Sequence, residues 1–404
     1  MTAYWDTIGQ PGPVGDYTIH SCDTHLVEPR DLWTTRLGKE FRDRAPQVQR
    51  LGGRDWWFCE GLNLMHCGHA ASRWDPDKYT GRYEDQRPGG MLPDRCVADS
   101  DLDGVDVNVF FPSAPITFYR IPDARLLQAI FRAYDDWVAD FCSYDPRRLK
   151  GVATLVLPED IEGAVAELER CVKKGFVGGQ IPMLSAPDPT YDDPVYDPLW
   201  AAAQEMQAPL MMHTGGNRST QAATTPVGMA MASGAPRPPA VGKGASDASA
   251  RDNIAAMIYG GVFERFPRLQ VGCMEMGTGW VPYFIRVMDR SYVVRRGDGP
   301  RAKTFKDGMA PGDFVRRNVF FSYQDEDLGI LTRDIISVDN LMYANDYPHP
   351  DCVWPRSRTV LERMYAGAGC TEQEKAKLAG GNAARIFRLE AARPARAAAS
   401  SPRR

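Results

Sequence analysis

The chain has 404 residues, 43% of them hydrophobic and 25% charged, the balance of a globular protein long enough to bury its own core without disulfide or metal staples. Forty-eight Lys and Arg against 52 Asp and Glu leave a net charge of −4, which gives no electrostatic support for a nucleic-acid partner. No apolar run approaches the roughly 20 residues of a membrane span, Met1–Gly15 lacks the basic and apolar regions of a secretory signal, and nine scattered Cys without a C-x-x-C pair read as the reduced thiols of a cytoplasmic protein.

Along the chain, short apolar runs alternate with helical patterns. Strands are expected at Tyr17–Asp23, Gly104–Pro112, Leu149–Leu157, Phe176–Met183, Ala208–Thr214, Leu269–Glu275, Asn318–Tyr323 and Leu341–Tyr347. Helices are expected between them, at Ala124–Phe141, Pro158–Lys174, Asp197–Gln207, Ser249–Phe266 and Trp280–Arg295. In Pro158–Lys174, for example, Ile161, Val165, Leu168 and Val172 recur at helical spacing. Eight β/α units of this kind predict an α/β protein with a parallel sheet closed into a (β/α)8 TIM barrel. The domain reading is an N-terminal extension over 1–16, one barrel domain over 17–390 and a disordered tail over 391–404. Two interruptions stand out. Residues 38–93, rich in Arg, Trp, Gly and Tyr, read as a hairpin-bearing insertion after the first strand. Residues 215–249, dominated by small residues and Pro, read as a flexible lid after the fifth.

Only six His occur, so their placement is informative. The first strand runs into Asp23-Thr24-His25-Leu26-Val27-Glu28, where Asp23 and His25 at i and i+2 share a face. The fifth strand ends in His213, the sixth in Glu275, and the eighth in Asp346 followed by Tyr347-Pro348-His349. Donors on several strand ends converge on a barrel mouth, which is where a divalent metal can collect N and O ligands. A lone Asp or His at a strand end is ordinarily a helix cap or a satisfied polar group; the joint pattern over four strands is not. For Glu28 the ordinary reading is a capping carboxylate before Pro29, and for His349 a loop residue bonded to a carbonyl. His66 and His69, with Cys59 and Cys67 nearby, lie in the insertion without a second paired motif and read as structural or substrate-loop residues. His20 alternates away from Asp23 and reads as a packing or solvent-facing residue. Trp74, Tyr79, Trp280, Tyr323 and Trp354 are candidate pocket walls, with core packing the ordinary reading for each.

The segments CDTHLVEP, PLMMHTGG, CMEMGTGW, ANDYPHPD and GGNAARIF resemble the amidohydrolase-related, metal-dependent TIM-barrel family that includes amino-carboxymuconate-semialdehyde and resorcylate-type decarboxylases. The resemblance runs from about Ser21 to Leu389. It implies a divalent metal held by Asp23, His25, His213 and Asp346. Two departures bear on function. Glu275 stands where the family usually places a His general base, and Glu28 and His349 add donors the family commonly lacks.

Seven ligand-type side chains exceed what one ion needs. The favoured expectation is therefore a dinuclear non-haem Fe or Fe/Mn oxygenase, similar to a smaller branch of the same superfamily, hydroxylating a small organic substrate. Asp23, His25, Glu28, His213, Glu275, Asp346 and His349 would all be ligands, and one carboxylate would bridge. The alternative is a hydrolase or non-oxidative decarboxylase with a single Zn or Mn, acting on a small carboxylate or amide-like compound, in which Glu275 or His349 is the general acid or base. A non-catalytic partner subunit is the third reading, and the complete donor set speaks against it. The expected partner is a small molecule, with neither nucleic acid nor membrane; homo- or hetero-oligomers are left open.

Overall fold

Strands that are buried along their whole length cannot present a polar face to water, and parallel sheets covered by helices on both sides are built from such strands. The central strands fit that requirement: His20–His25, Val107–Phe111, Leu210–His213, Val271–Met274 and Val319–Tyr323 are buried at every position. The computed structural model describes residues 17–67, 81–184, 188–218, 239–295 and 304–390. The expected N-terminal extension and C-terminal tail lie outside the described residues.

All the central strands pair in parallel, in two ladders. One joins His20–His25, Val107–Phe111 and Leu149–Gly151; the other runs Leu341–Tyr343, Val319–Tyr323, Val271–Met274, Leu210–His213, Gly179–Gln180 and Ala153–Thr154. The expected third strand, Leu149–Leu157, is thus split at Val152. Its first half pairs with Val107–Phe111 and its second with Gly179–Gln180. The expected single closed ring is not traced as one continuous sheet. At the two places where the ladders meet, isolated backbone bonds take over. Val152 N–H donates to Phe110 O at 3.2 Å and Val177 N–H to Gly151 O at 3.0 Å; at the other meeting, Asp346 N–H donates to Asp23 O at 3.1 Å and His25 N–H to Tyr347 O at 2.7 Å. The expected Phe176–Met183 strand survives as Gly179–Gln180, and Met183–Leu184 leaves the central sheet to pair with Asn217–Arg218.

Local chemistry sets the helix boundaries. Asp123 accepts from Arg125 and Leu126 N–H and opens Ala124–Cys142. Asp160 accepts from Gly163 N–H, so the third expected unit starts its helix at Ile161 and not at Pro158. Between 38 and 93, Gln47–Leu51, Arg54–Cys59 and Leu62–His66 form an antiparallel sheet. The expected lid is ordered at both ends. Arg218 is buried, with Nε and Nη2 on Glu159 and Nη1 donating to the carbonyls of Tyr119 and Ile121 at 2.8 and 2.9 Å. From Pro239 the chain is helical to Tyr259, in keeping with an Ala-rich stretch and a proline in the first turn. Residues 219–238 of the expected lid lie outside the described residues. Among those described, no helix is long and apolar enough to cross a membrane.

Candidate metal centre

The site lies where the two ladders meet. Asn345 ties them together. Its Oδ1 accepts from Ser21 Oγ at 2.9 Å and from Tyr347 N–H at 3.1 Å, and its Nδ2 donates to Asp103 Oδ2 at 3.3 Å. The register of His20–His25 slips between Ser21 and Thr24, an irregularity that re-aims a side chain, and Asp23 sits inside it. Asp346 and Glu275 both adopt positive φ, 55° and 56°. Strain of this kind in non-glycine residues collects at functional sites.

Around this seam, Asp23 Oδ1 lies 3.4 Å from His25 Nε2 and Asp23 Oδ2 lies 3.3 Å from His213 Nε2. Asp346 Oδ1 lies 3.2 Å from His25 Nε2 and 3.0 Å from His349 Nδ1. Two groups of three donors result, Asp23/His25/His213 and His25/Asp346/His349, each with its ligand atoms within 4.8 Å of one another, and the two share His25. The remaining ring nitrogens are turned to oxygen acceptors: His25 Nδ1 to Pro112 O at 3.1 Å and His213 Nδ1 to Thr214 O at 2.8 Å. That arrangement fixes which nitrogen faces inward.

Both carboxylate oxygens of Asp23 and of Asp346, with Nε2 of His25 and of His213, are buried and make no hydrogen bond. Six orphaned polar atoms facing one another would be costly in a finished core. They are what a divalent cation satisfies, and imidazole with carboxylate suits Zn or Mn. Electrostatics agree. Burial lowers the His213 imidazole, but Asp23, and with it Glu275, outweighs burial and leaves the ring at about 9. His25 is raised in the same way, with Asp346 and Asp23 overcoming burial. Burial works against the Asp346 carboxylate, yet His349 and His25 hold it well below the usual range. His349 is lowered by burial and by His25.

Glu28 is placed differently. Its Oε1 accepts from Ser113 N–H at 3.0 Å and its Oε2 from Ala114 N–H at 3.3 Å, and burial, against those bonds, raises its carboxyl to about 7. Glu275 lies at the rim, with Oε2 3.8 Å from His213 Nε2 and a side chain 15% exposed. Among the described residues neither carboxylate joins a three-donor group. His66 and Cys67 line a small cleft with Glu28, Trp57, Ser113 and His349. They too join no donor group among the described residues, and His69, Trp74 and Tyr79 lie outside those residues. The other expected pocket walls are packing residues. Trp280 Nε1 donates to Met276 O at 3.2 Å, Tyr323 OH meets Tyr365 OH at 2.7 Å, and the Trp354 ring lies under Arg87 at 4.0 Å. His20 is buried with both ring nitrogens unbonded. Sequence reasoning missed Ser113 and Trp57. Ser113 follows the Val107–Phe111 strand by two residues, so its strand-end position was the available signal.

Residues 22–389 match the family model described as amidohydrolase. The chain is 25% identical over 309 residues to the gamma-resorcylate decarboxylase of Rhizobium sp. (strain MTP-10005), covering 72% of this chain and 86% of that protein. An amidohydrolase crystal structure from Mycobacterium avium subsp. paratuberculosis K-10 superposes with a TM-score of 0.70 at 20% identity, covering 92% of this chain and 99% of that one. The 5-carboxyvanillate decarboxylase of Novosphingobium aromaticivorans DSM 12444, solved with manganese and a nitrobenzoic acid, gives 0.67 at 21% identity over 94% and 98% of the two chains. The relatives are decarboxylases, and this overturns the expectation of an iron oxygenase.

Proposed function

Since the chain belongs to the amidohydrolase family over residues 22–389, we propose that it is a metal-dependent, non-oxidative decarboxylase of a small aromatic hydroxy-carboxylate, the substrate class named for its relatives. The observation behind this reading is the set of six buried, orphaned donor atoms on Asp23, His25, His213 and Asp346. A closed (β/α)8 barrel completed from the two ladders is part of the same proposal, with the site at its C-terminal mouth. One Mn2+ held by those four residues would act as a Lewis acid on the substrate's oxygens. The reaction is redox-neutral. The bond from ring carbon to carboxylate breaks, its electron pair stays on the ring carbon, a proton forms the new C–H bond, and CO2 leaves.

The chain's own part is to orient the ring and move that proton. Glu275 is the group for the second task. It follows the Val271–Met274 strand directly and stands at the rim beside His213, which replaces the imidazole of the family pattern by a carboxyl. Trp57 and the buried Glu28–Ser113 turn line the neighbouring cleft. The test is turnover of a hydroxybenzoate panel by Mn-loaded protein, wild type against Glu275→Gln. Loss of a general acid should lower kcat by about 10²–10⁴-fold with the metal content unchanged. A Glu275→Gln protein that turns over like the wild type would remove Glu275 from the proton transfer.

A further inference from the structure

His349 enters the centre from the loop after the last strand, and its ring is held on three sides. It stacks on His25 with centroids 3.8 Å apart and planes at 20°. Nδ1 lies 3.0 Å from Asp346 Oδ1 and Nε2 lies 2.9 Å from Ser113 Oγ. Ser113 is anchored in turn. Its N–H and that of Ala114 each donate to one oxygen of Glu28, whose carboxyl is almost fully buried. A contact between residues 25 and 349 and another between 28 and 113 thereby become one continuous support.

Ser113, His349 and Asp346 have the spacing of a nucleophile, its base and an orienting acid. A nucleophile of that type needs free donors for an oxyanion, and the two amides at Ser113, its own and that of Ala114, are already bound by Glu28. The geometry serves a different end. An imidazole that binds a metal through one nitrogen gives the other N–H to an oxygen, which fixes tautomer and ring orientation and raises ligand strength. His25 and His213 do this with the carbonyls of Pro112 and Thr214. Ser113 Oγ stands in the corresponding place for His349, while Nδ1 faces Asp346.

We infer that Ser113 is a positioning residue of the metal centre: anchored by Glu28, it accepts the Nε2–H of His349 and aims Nδ1 at the ion as a fifth protein donor. This deepens the metal-dependent reading above and rests on it. Glu28 then supports the centre through the backbone of residues 113–114 and binds no metal.

The test is Mn2+ titration of the metal-free full chain by calorimetry, without substrate, for wild type, Ser113→Ala, Ser113→Cys, Ser113→Thr, His349→Ala and the Ser113→Ala/His349→Ala double variant. Loss of an outer-sphere partner weakens metal affinity by about 10–100-fold, so Ser113→Ala and Ser113→Cys should fall in that range. Ser113→Thr keeps the hydroxyl and should stay within a few-fold of wild type. Because Ser113 acts through the imidazole, the double variant should bind no more weakly than His349→Ala alone. Circular dichroism reports the fold of each, and Ser113→Cys, close in size to serine, covers a collapse of the alanine variant. Wild-type affinity in both Ser113→Ala and Ser113→Cys would overturn the inference. So would effects that add in full in the double variant, since a merely structural serine gives that result. Failure of the wild type to release CO2 while these affinities behave as expected would strike the decarboxylase reading and leave this one standing.

Discussion

Loading the metal-free protein with Mn2+ at pH 7 should expel at least one proton. The imidazole of His213 sits at about 9 in the metal-free centre, because Asp23 and Glu275 outweigh the burial that would lower it. Two units below that value the ring is ~99% protonated, and an imidazole must be neutral to ligate. Removing the proton at pH 7 costs ~2.7 kcal/mol, from about 1.4 kcal/mol per unit. Apparent affinity should therefore rise about tenfold per pH unit well below pH 9 and gain ~50-fold between pH 7 and 9. His25 is raised as well, which steepens the dependence. Calorimetry at one pH in buffers of different ionisation enthalpy counts the protons released, and a series from pH 6 to 9 gives the slope. Release well below half a proton together with a flat affinity profile would refute the argument, because the carboxylates would then not be holding His213 charged.

The same ring makes the stability of the metal-free protein depend on pH. Its folded value lies above the ~6.5 of an unperturbed His, so its contribution is complete below about pH 6.5 and is lost as pH rises through 9. Over that window urea unfolding of the metal-free protein should lose about 3 kcal/mol, a loss the Mn-loaded protein should not show; a flat profile for both forms contradicts it. Elsewhere, Arg218→Ala strips the partner from Glu159 and from the carbonyls of Tyr119 and Ile121. Breaking a buried ion pair costs roughly 3–5 kcal/mol, and because Glu159 is 26% exposed the lower end, about 3 kcal/mol, is expected in urea unfolding. A loss under ~1 kcal/mol would show that the two carbonyls and Glu159 are served by water.

The strand ends that bring Asp23, His25, His213 and Asp346 together were readable from local pattern. Apolar runs marked the strands, and alternation put Asp23 and His25 on one face. Glu28 was not readable in this way. Its fate depends on two amide groups 85 and 86 positions away, and no local rule says whether a carboxylate in a loop meets a cation or a backbone turn. Glu28 was one of the seven ligand-type side chains on which the dinuclear expectation rested. Val152 shows the same limit in the sheet. The run 149–157 reads as one strand, but pairing with different neighbours on either side of Val152 divides it. The small-residue stretch after His213 was read from composition as a lid, yet alanine favours helix as readily as it fails to build a core, and from Pro239 the helix prevails.

The most direct measurement is a paired gas assay on Mn-loaded wild-type protein with a panel of hydroxybenzoates in a sealed cell, following CO2 released and O2 consumed together. The account predicts one CO2 per phenolic product, no O2 uptake, equal rates under nitrogen and air, and loss of the activity in His213→Ala. Turnover that consumes O2 and stops under nitrogen, or the absence of CO2 from every member of the panel while the metal is bound, would contradict it.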